Sequence, residues 1–172
     1  ASALSAGVNM ILDPSTMRGN AVAGFTSVKG RSHTFDARAD GYARGEAIGG
    51  VVLSCGDGVL RLLGSAVRQD GRSASLTAPN GQAQQGLLRG ALQDASLKAH
   101  AISANEAHGT GTALGDPIEA GSLVGAVLSF RAAAPLALGG IKADIGHAEP
   151  AAGMTGLLKL ALGLWRGEAV PN

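Results

Sequence analysis

Residues 106–120 read EAHGTGTALGDPIEA, and residues 139–153 read GGIKADIGHAEPAAG. Each stretch sets a histidine, His108 or His147, among small residues just ahead of a segment with helical character. In open α/β sheets ligands gather at the carboxyl ends of strands. Helix N-termini at the same place offer unpaired N–H groups to an anion. Two imidazoles placed there could jointly donate hydrogen bonds to an oxygen that becomes negative during a reaction. Lys142 stands shortly before His147, and Asp116 and Glu119 follow His108. A buried lysine needs a carboxylate, and these two acids are the candidates. The run after His108 is stripped of side-chain bulk, so something long and thin could lie against its backbone.

Each residue also has a plainer reading. A histidine beside glycines is often a satisfied structural residue. Asp116 and Glu119 fit a helix cap, and Lys142 fits a solvated surface charge. Two histidines with two carboxylates could hold a metal, but no HxxxH, HExxH or paired-cysteine spacing occurs, so no metal site is expected. GTGTALGDP lacks the Gly-Lys-Ser/Thr ending of a phosphate-binding P-loop.

The elements that must position these residues follow from periodicity and punctuation. GVNMIL (7–12) reads as a short strand closed by Asp13-Pro14, and 13–45 reads as loop. AIGGVVLS (47–54) and VLRLLGSAV (59–67) flank a Gly-Asp-Gly turn and predict a hairpin. Residues 68–81 are loop-like. Leu87, Leu88, Ala91, Leu92 and Ala95 recur at helical spacing and predict a helix over 84–97. AISANEA (101–107) predicts a strand of poor propensity. Asp116 as N-cap, Pro117 at the first helical position and Glu119 three residues after the cap predict a helix to about Phe130. PLALGGIK (135–142) predicts a strand, and Pro150 opens a last helix, roughly 150–165, apolar over most of its circumference. Strands alternating with helices in the second half predict an α/β sheet with helical layers.

The 172 residues carry 45% hydrophobic and 16% charged residues, enough for a core and too apolar for a disordered chain. The net charge is +1 with no basic run, which argues against nucleic acid as a partner. The 27 glycines show no three-residue period, so they mark tight turns and close backbone approaches rather than a collagen helix. Cys55 is a lone cysteine, so no internal disulfide forms, and a reducing, cytoplasmic location is expected. The start, ASALSAGVNM, lacks the positive region of a signal peptide. The most apolar tract, GLLKLALGLW, is too short to span a bilayer and contains Lys159. The first and last residues read as cut from a longer chain.

EAHGTGTALGDPIEA and GGIKADIGHAEPAAGMTGLLK resemble the two histidine motifs of the β-ketoacyl synthases, and within them the ketosynthase domains of modular polyketide synthases. FDARADGYARGE (35–46) and GSAVRQDGRSASLTAPNGQAQQ (64–85) support the resemblance, which runs over nearly the whole chain. It implies a thiolase-like fold, two similar halves stacked as five α/β/α/β/α layers. Residues 1–68 would close the N-terminal half and residues 69–172 would form most of the C-terminal half. It implies a decarboxylative Claisen condensation between an acyl group held on a cysteine and a malonyl-type extender held on a carrier protein. His108 and His147 match the family's two histidines, Lys142 its site lysine and Glu119 the acidic partner, with Asp116 nearby. Thr110 and Thr112 match hydroxyls that hold the carrier's 4'-phosphopantetheine arm, the slender object suited to the HGTGT loop. No cofactor would bind directly. The expected partners are an acyl carrier protein domain, a second copy of the ketosynthase and other synthase domains.

This sequence departs from the family's pattern in several places. The family's nucleophile lies in an Ala-Cys-Ser-Ser stretch upstream of the segment resembling GVNMIL, and Cys55 does not match it. A Gly-Phe-Gly-Gly loop that completes the oxyanion hole would lie beyond Asn172. The chain alone is therefore expected to be inactive. Ala47 stands where glycine is usual, the SCGDG turn is short, and Pro150 after GHAE is less usual. Two alternatives stay open: a non-catalytic ketosynthase-like subunit that shapes a partner's pocket, and the equivalent enzyme of fatty-acid synthesis.

Overall fold

A computed structural model describes residues 1–75, 77–131 and 135–169. Strand β1 (Ser2–Asn9) pairs antiparallel with β2 (Ala47–Ser54), with Ser2 opposite Ser54 and Asn9 opposite Ala47. The first strand is thus earlier than the sequence suggests, and residues 10–12 lie outside it. The expected hairpin between 47–54 and 59–67 does not form. β2 satisfies its backbone against the distant β1, and residues 59–67 contain no strand. That segment turns onto a helix instead: Ser65 N–H donates to Asp94 Oδ2 at 2.8 Å.

Glycines let the β1–β2 ribbon meet the end of the chain. A Cβ on Gly7 would lie 3.1 Å from Ala151 Cα, and one on Gly49 would lie 3.0 Å from Met154 Cγ and 3.1 Å from Leu158 Cδ1. On the other face Leu4 sits opposite Val52 and Val8 opposite Ile48, and all four are exposed.

The loop expected over 13–45 contains a helix, α1 (Pro14–Val22). Asp13 caps it, accepting Ser15 N–H at 2.9 Å, with Pro14 in the first turn. No apolar stripe marks it, because none of its residues is buried. Residues 25–46 then run as an irregular strap, joined to itself by a bridge from Thr26 to Tyr42 and to the site by one from Arg44 to His147.

Helix α2 (Gly81–Asp94) begins at Asn80, whose side chain accepts Gln82 N–H and Ala83 N–H, earlier than the apolar spacing implies. It packs on α3 (Gly115–Ala126). Their contact forms the small core, with Leu88 and Leu92 against Ala99, Leu123, Ala126 and Val127. Strand β3 narrows to Ala104–Glu106 and β4 to Ala137–Gly139, and the two pair in parallel. Lys142 therefore lies outside the strand, in the short helix α4 (Lys142–Ile145). Helix α5 (Ala152–Arg166) follows a 3₁₀ turn at Glu149–Ala151. Much of its apolar circumference is open in this chain: Leu157, Leu162, Leu164 and Trp165 are exposed.

Candidate active site

β3 delivers His108 directly, and α3 begins after it. His147 is reached differently, because α4 stands between β4 and the histidine. Its main chain is held by the strap: His147 N–H donates to Ala43 C=O at 2.7 Å, and Gly45 N–H donates to His147 C=O at 2.9 Å. The two imidazoles meet edge to face, with ring centroids 5.5 Å apart and planes at 88°. Tyr42 stacks edge-on to His147 at 5.0 Å.

The HGTGT loop is tied on every side. Gly109 and Gly111 take positive φ, 46° and 77°. A Cβ on Gly111 would lie 2.6 Å from His33 N, so both conformation and space require glycine there. Thr34 Oγ1 donates to Gly109 C=O at 2.6 Å, and Gly41 N–H donates to Gly111 C=O at 3.0 Å. Thr110 is buried and shares a 3.2 Å hydrogen bond with Thr112, whose Oγ1 also accepts Gly115 N–H at 3.2 Å.

The acids do not act as the sequence suggested. Asp116 is not the N-cap of α3; Leu114 holds that position, and Asp116 lies buried in the first turn. There its carboxylate accepts Gly111 N–H at 3.1 Å and Phe35 N–H at 2.7 Å, joining the loop to the strap. Glu119 makes no capping box. It reaches back to accept His108 N–H at 2.6 Å and Gly109 N–H at 2.8 Å. Among the described residues no ion pair joins Lys142 to either acid. Lys142 is only 4% exposed, and its ammonium donates to His108 C=O. A backbone carbonyl satisfies a lysine donor as a carboxylate would. The acids still act on it through space. Burial lowers the Lys142 pKa, while Glu119, Glu106 and Asp116 oppose that shift.

Both histidines are biased toward the neutral form. His147 is pushed down to about 4, first by desolvation and then by the charges of Lys142 and His108. His108 is lowered by desolvation and Lys142, although its residue surface is exposed to solvent. Glu149 N–H donates to His147 Nδ1 at 2.9 Å, which leaves the ring proton on Nε2. A neutral imidazole with its proton on Nε2 is a donor whose other nitrogen is already occupied. With the His108 ring beside it, this imidazole can help stabilise a developing oxyanion.

Several contributors have no obvious mark in the sequence. Glu106 accepts Ile141 N–H at 2.6 Å and pairs with Lys159 at 3.0 Å, tying β3 to α4 and α5. Arg44 and Glu149 form a two-pronged ion pair beside His147. Cys55 is exposed just past β2, where its N–H donates to Ala1 C=O. Among the described residues no group of three or more His, Cys, Asp or Glu could hold a metal ion. No described helix is long and apolar enough to cross a membrane.

Comparison with known proteins decides the family. Residues 59–172 match the sequence model of the β-ketoacyl synthase C-terminal domain, and residues 1–56 match that of the N-terminal domain. The chain belongs to the β-ketoacyl synthase family. It is 46% identical over 180 residues to a phenolphthiocerol/phthiocerol polyketide synthase of Mycobacterium tuberculosis, covering 99% of this chain and 10% of that protein. Among solved structures it resembles an oxazolomycin ketosynthase domain of Streptomyces albus, with a TM-score of 0.89 and 36% identity over 94% of this chain and 30% of the other. It also resembles the ketosynthase from module 6 of the bacillaene synthase of Bacillus subtilis, at 0.86 and 32% over 95% and 31%. This β-ketoacyl synthase chain therefore has the thiolase-like α/β fold of a ketosynthase and spans about a tenth of its curated relative.

Proposed function

We propose that this chain carries the extender-decarboxylating site of a ketosynthase in polyketide biosynthesis. A malonyl-type thioester on the phosphopantetheine arm of an acyl carrier protein enters along the HGTGT loop. Thr110 and Thr112 hold the arm. The bond to the carboxylate breaks, CO₂ leaves, and the electron pair moves into the thioester as an enolate. His147 Nε2–H and a ring N–H of His108 donate to the enolate oxygen. The carbanionic carbon attacks an acyl thioester on a cysteine, expelling the cysteine thiolate and giving a β-ketoacyl thioester. Lys142, Glu119 and Asp116 hold the His108 loop in place.

The observation that carries this reading is the edge-on pairing of His108 and His147 at 5.5 Å. The exposed turn position of Cys55 is unlike the helix N-terminus or cationic setting that favours a reactive thiolate. A cysteine other than Cys55 therefore accepts the acyl group, and residues 1–172 alone do not catalyse condensation. A buried lysine whose charge acts on both imidazoles favours a catalytic site over a scaffold, which has little use for all three. The reading extends to a homodimer through the ketosynthase, to neighbouring synthase domains, and to a cytoplasmic location. It keeps residues 1–68 with the N-terminal half and 69–172 with the C-terminal half.

The test uses full-length synthase with His108→Ala and His147→Ala. CO₂ release from malonyl carrier protein should fall by ~10²–10³ in each, the usual cost of one oxyanion donor. Acyl loading, followed by intact-protein mass, should suffer less in at least one variant. Wild-type CO₂ release in both would end the assignment.

A further inference from the structure

His147 is enclosed by a ring of contacts that none of the sequence motifs singles out. Its peptide groups are bonded to the strap on either side of Arg44. The Arg44 side chain, 5% exposed, donates from Nε and Nη2 to the two oxygens of Glu149 at 2.8 and 2.9 Å. The Glu149 N–H then returns to His147 Nδ1. Glu149 holds a left-handed backbone, φ 42°, which glycine would adopt freely and glutamate rarely does. Glutamate stands there nonetheless, and its carboxylate is clamped at both oxygens. The clamp locates the peptide whose N–H occupies Nδ1, and that occupied Nδ1 leaves the proton on Nε2.

Resting on the catalytic reading of His147, we propose that Arg44 and Glu149 are positioning residues that fix the tautomer and orientation of this imidazole for extender decarboxylation. They act through His147 and touch no substrate. Partners that orient a metal-bound histidine typically matter by ~10–100-fold in activity, and an effect of that order is expected here.

The test uses full-length synthase with Glu149→Gly, Glu149→Gln, Arg44→Met and the Arg44→Met/Glu149→Gly double variant, with His147→Ala as control. Glu149→Gly keeps the N–H and suits the backbone, so it removes the clamp alone. Glu149→Gln keeps shape and fold and should show a smaller loss. CO₂ release should fall ~10–100-fold in Glu149→Gly and Arg44→Met. Acyl loading and the KM for malonyl carrier protein should stay near wild type. The double variant should be little worse than either single, because both break one device. If His147→Ala loses CO₂ release while the pair variants keep it, the positioning role is refuted and the catalytic reading stands. A proportional loss of loading, decarboxylation and thermal stability makes the pair merely structural and refutes the proposal. Full CO₂ release in His147→Ala refutes both readings.

Discussion

The ammonium of Lys142 donates to the backbone carbonyl of His108, so a buried cation holds the peptide that carries the first imidazole. Lys142→Ala removes a part-buried hydrogen bond from a charged donor, a loss of about 1.5–3 kcal/mol. Turnover should fall together with the melting temperature. A surface lysine would change stability by no more than ~0.5 kcal/mol. Steady-state kinetics paired with a thermal melt separates the two, and unchanged turnover returns Lys142 to a structural charge.

Gly111→Ala should disable the loop. The position has φ 77°, and the added Cβ would lie 2.6 Å from His33 N and 3.0 Å from Ser32 C, both backbone atoms with no freedom to retreat. Left-handed strain alone costs on the order of 1–3 kcal/mol, and the clash adds to it. The expected result is a large drop in melting temperature, with loss of extender turnover in whatever protein remains folded. Gly121→Ala is the control, because nothing lies within 4 Å of its added methyl. Equal stability of the two variants would contradict the packing of the strap on the HGTGT loop.

The parts of this site that were legible in the sequence were those written in a single stretch. His108, Gly109 and Gly111 declared themselves by type and spacing, and β3 followed by α3 puts the histidine at a strand end. What stayed hidden is long-range. The β1–β2 pairing replaced the expected hairpin because strand choice depends on what packs above Gly7 and Gly49, which local alternation does not encode. Asp116 looked like a cap because cap preference is local. Its actual bonds run to Phe35 and Gly111. Arg44 and Glu149 lay within quoted motifs, yet nothing in either motif says that one reaches the other. Helix α1 escaped because a helix that buries nothing carries no apolar stripe, and only Asp13-Pro14-Ser15 announced it.

Acid should weaken the fold through the histidines. His147 titrates at about 4 in the folded chain against 6.5 in a free imidazole, because desolvation and the nearby cationic groups disfavour its charged form. Between those values the unfolded chain binds a proton that the folded chain does not, so stability rises with pH and is lost on acidification. His108 shifts in the same direction. Glu149 is held below its usual 4.5 by Arg44, so its contribution is lost only at lower pH. The urea midpoint of the ketosynthase should therefore fall as pH drops from 6.5 toward about 4, and His147→Gln should flatten the fall. Parallel curves for wild type and variant would show that His147 does not carry the effect.

Residues 1–172 expressed alone should aggregate and should not condense substrates. The core that the described residues assemble is small, chiefly alanines with Leu123 and Val127. Meanwhile Leu4, Val8, Ile48 and Val52 line one face of the β1–β2 ribbon at 73, 53, 85 and 70% exposure. Leu162, Leu164 and Trp165 add 51, 55 and 64% on α5. Contiguous apolar surface beyond a few hundred Å² marks an interface or an aggregation liability. A two-stranded ribbon also has little stability by itself in water. Light scattering should show large particles, and assays with acyl- and malonyl-carrier thioesters should show no β-ketoacyl product. Replacing Leu4, Val8, Ile48 and Val52 with threonine should improve solubility, because β-branched polar residues keep strand propensity while removing the patch. A monodisperse, cooperatively melting wild-type monomer would refute the patch argument. Condensation by that monomer, abolished by Cys55→Ala, would make Cys55 the acyl acceptor after all.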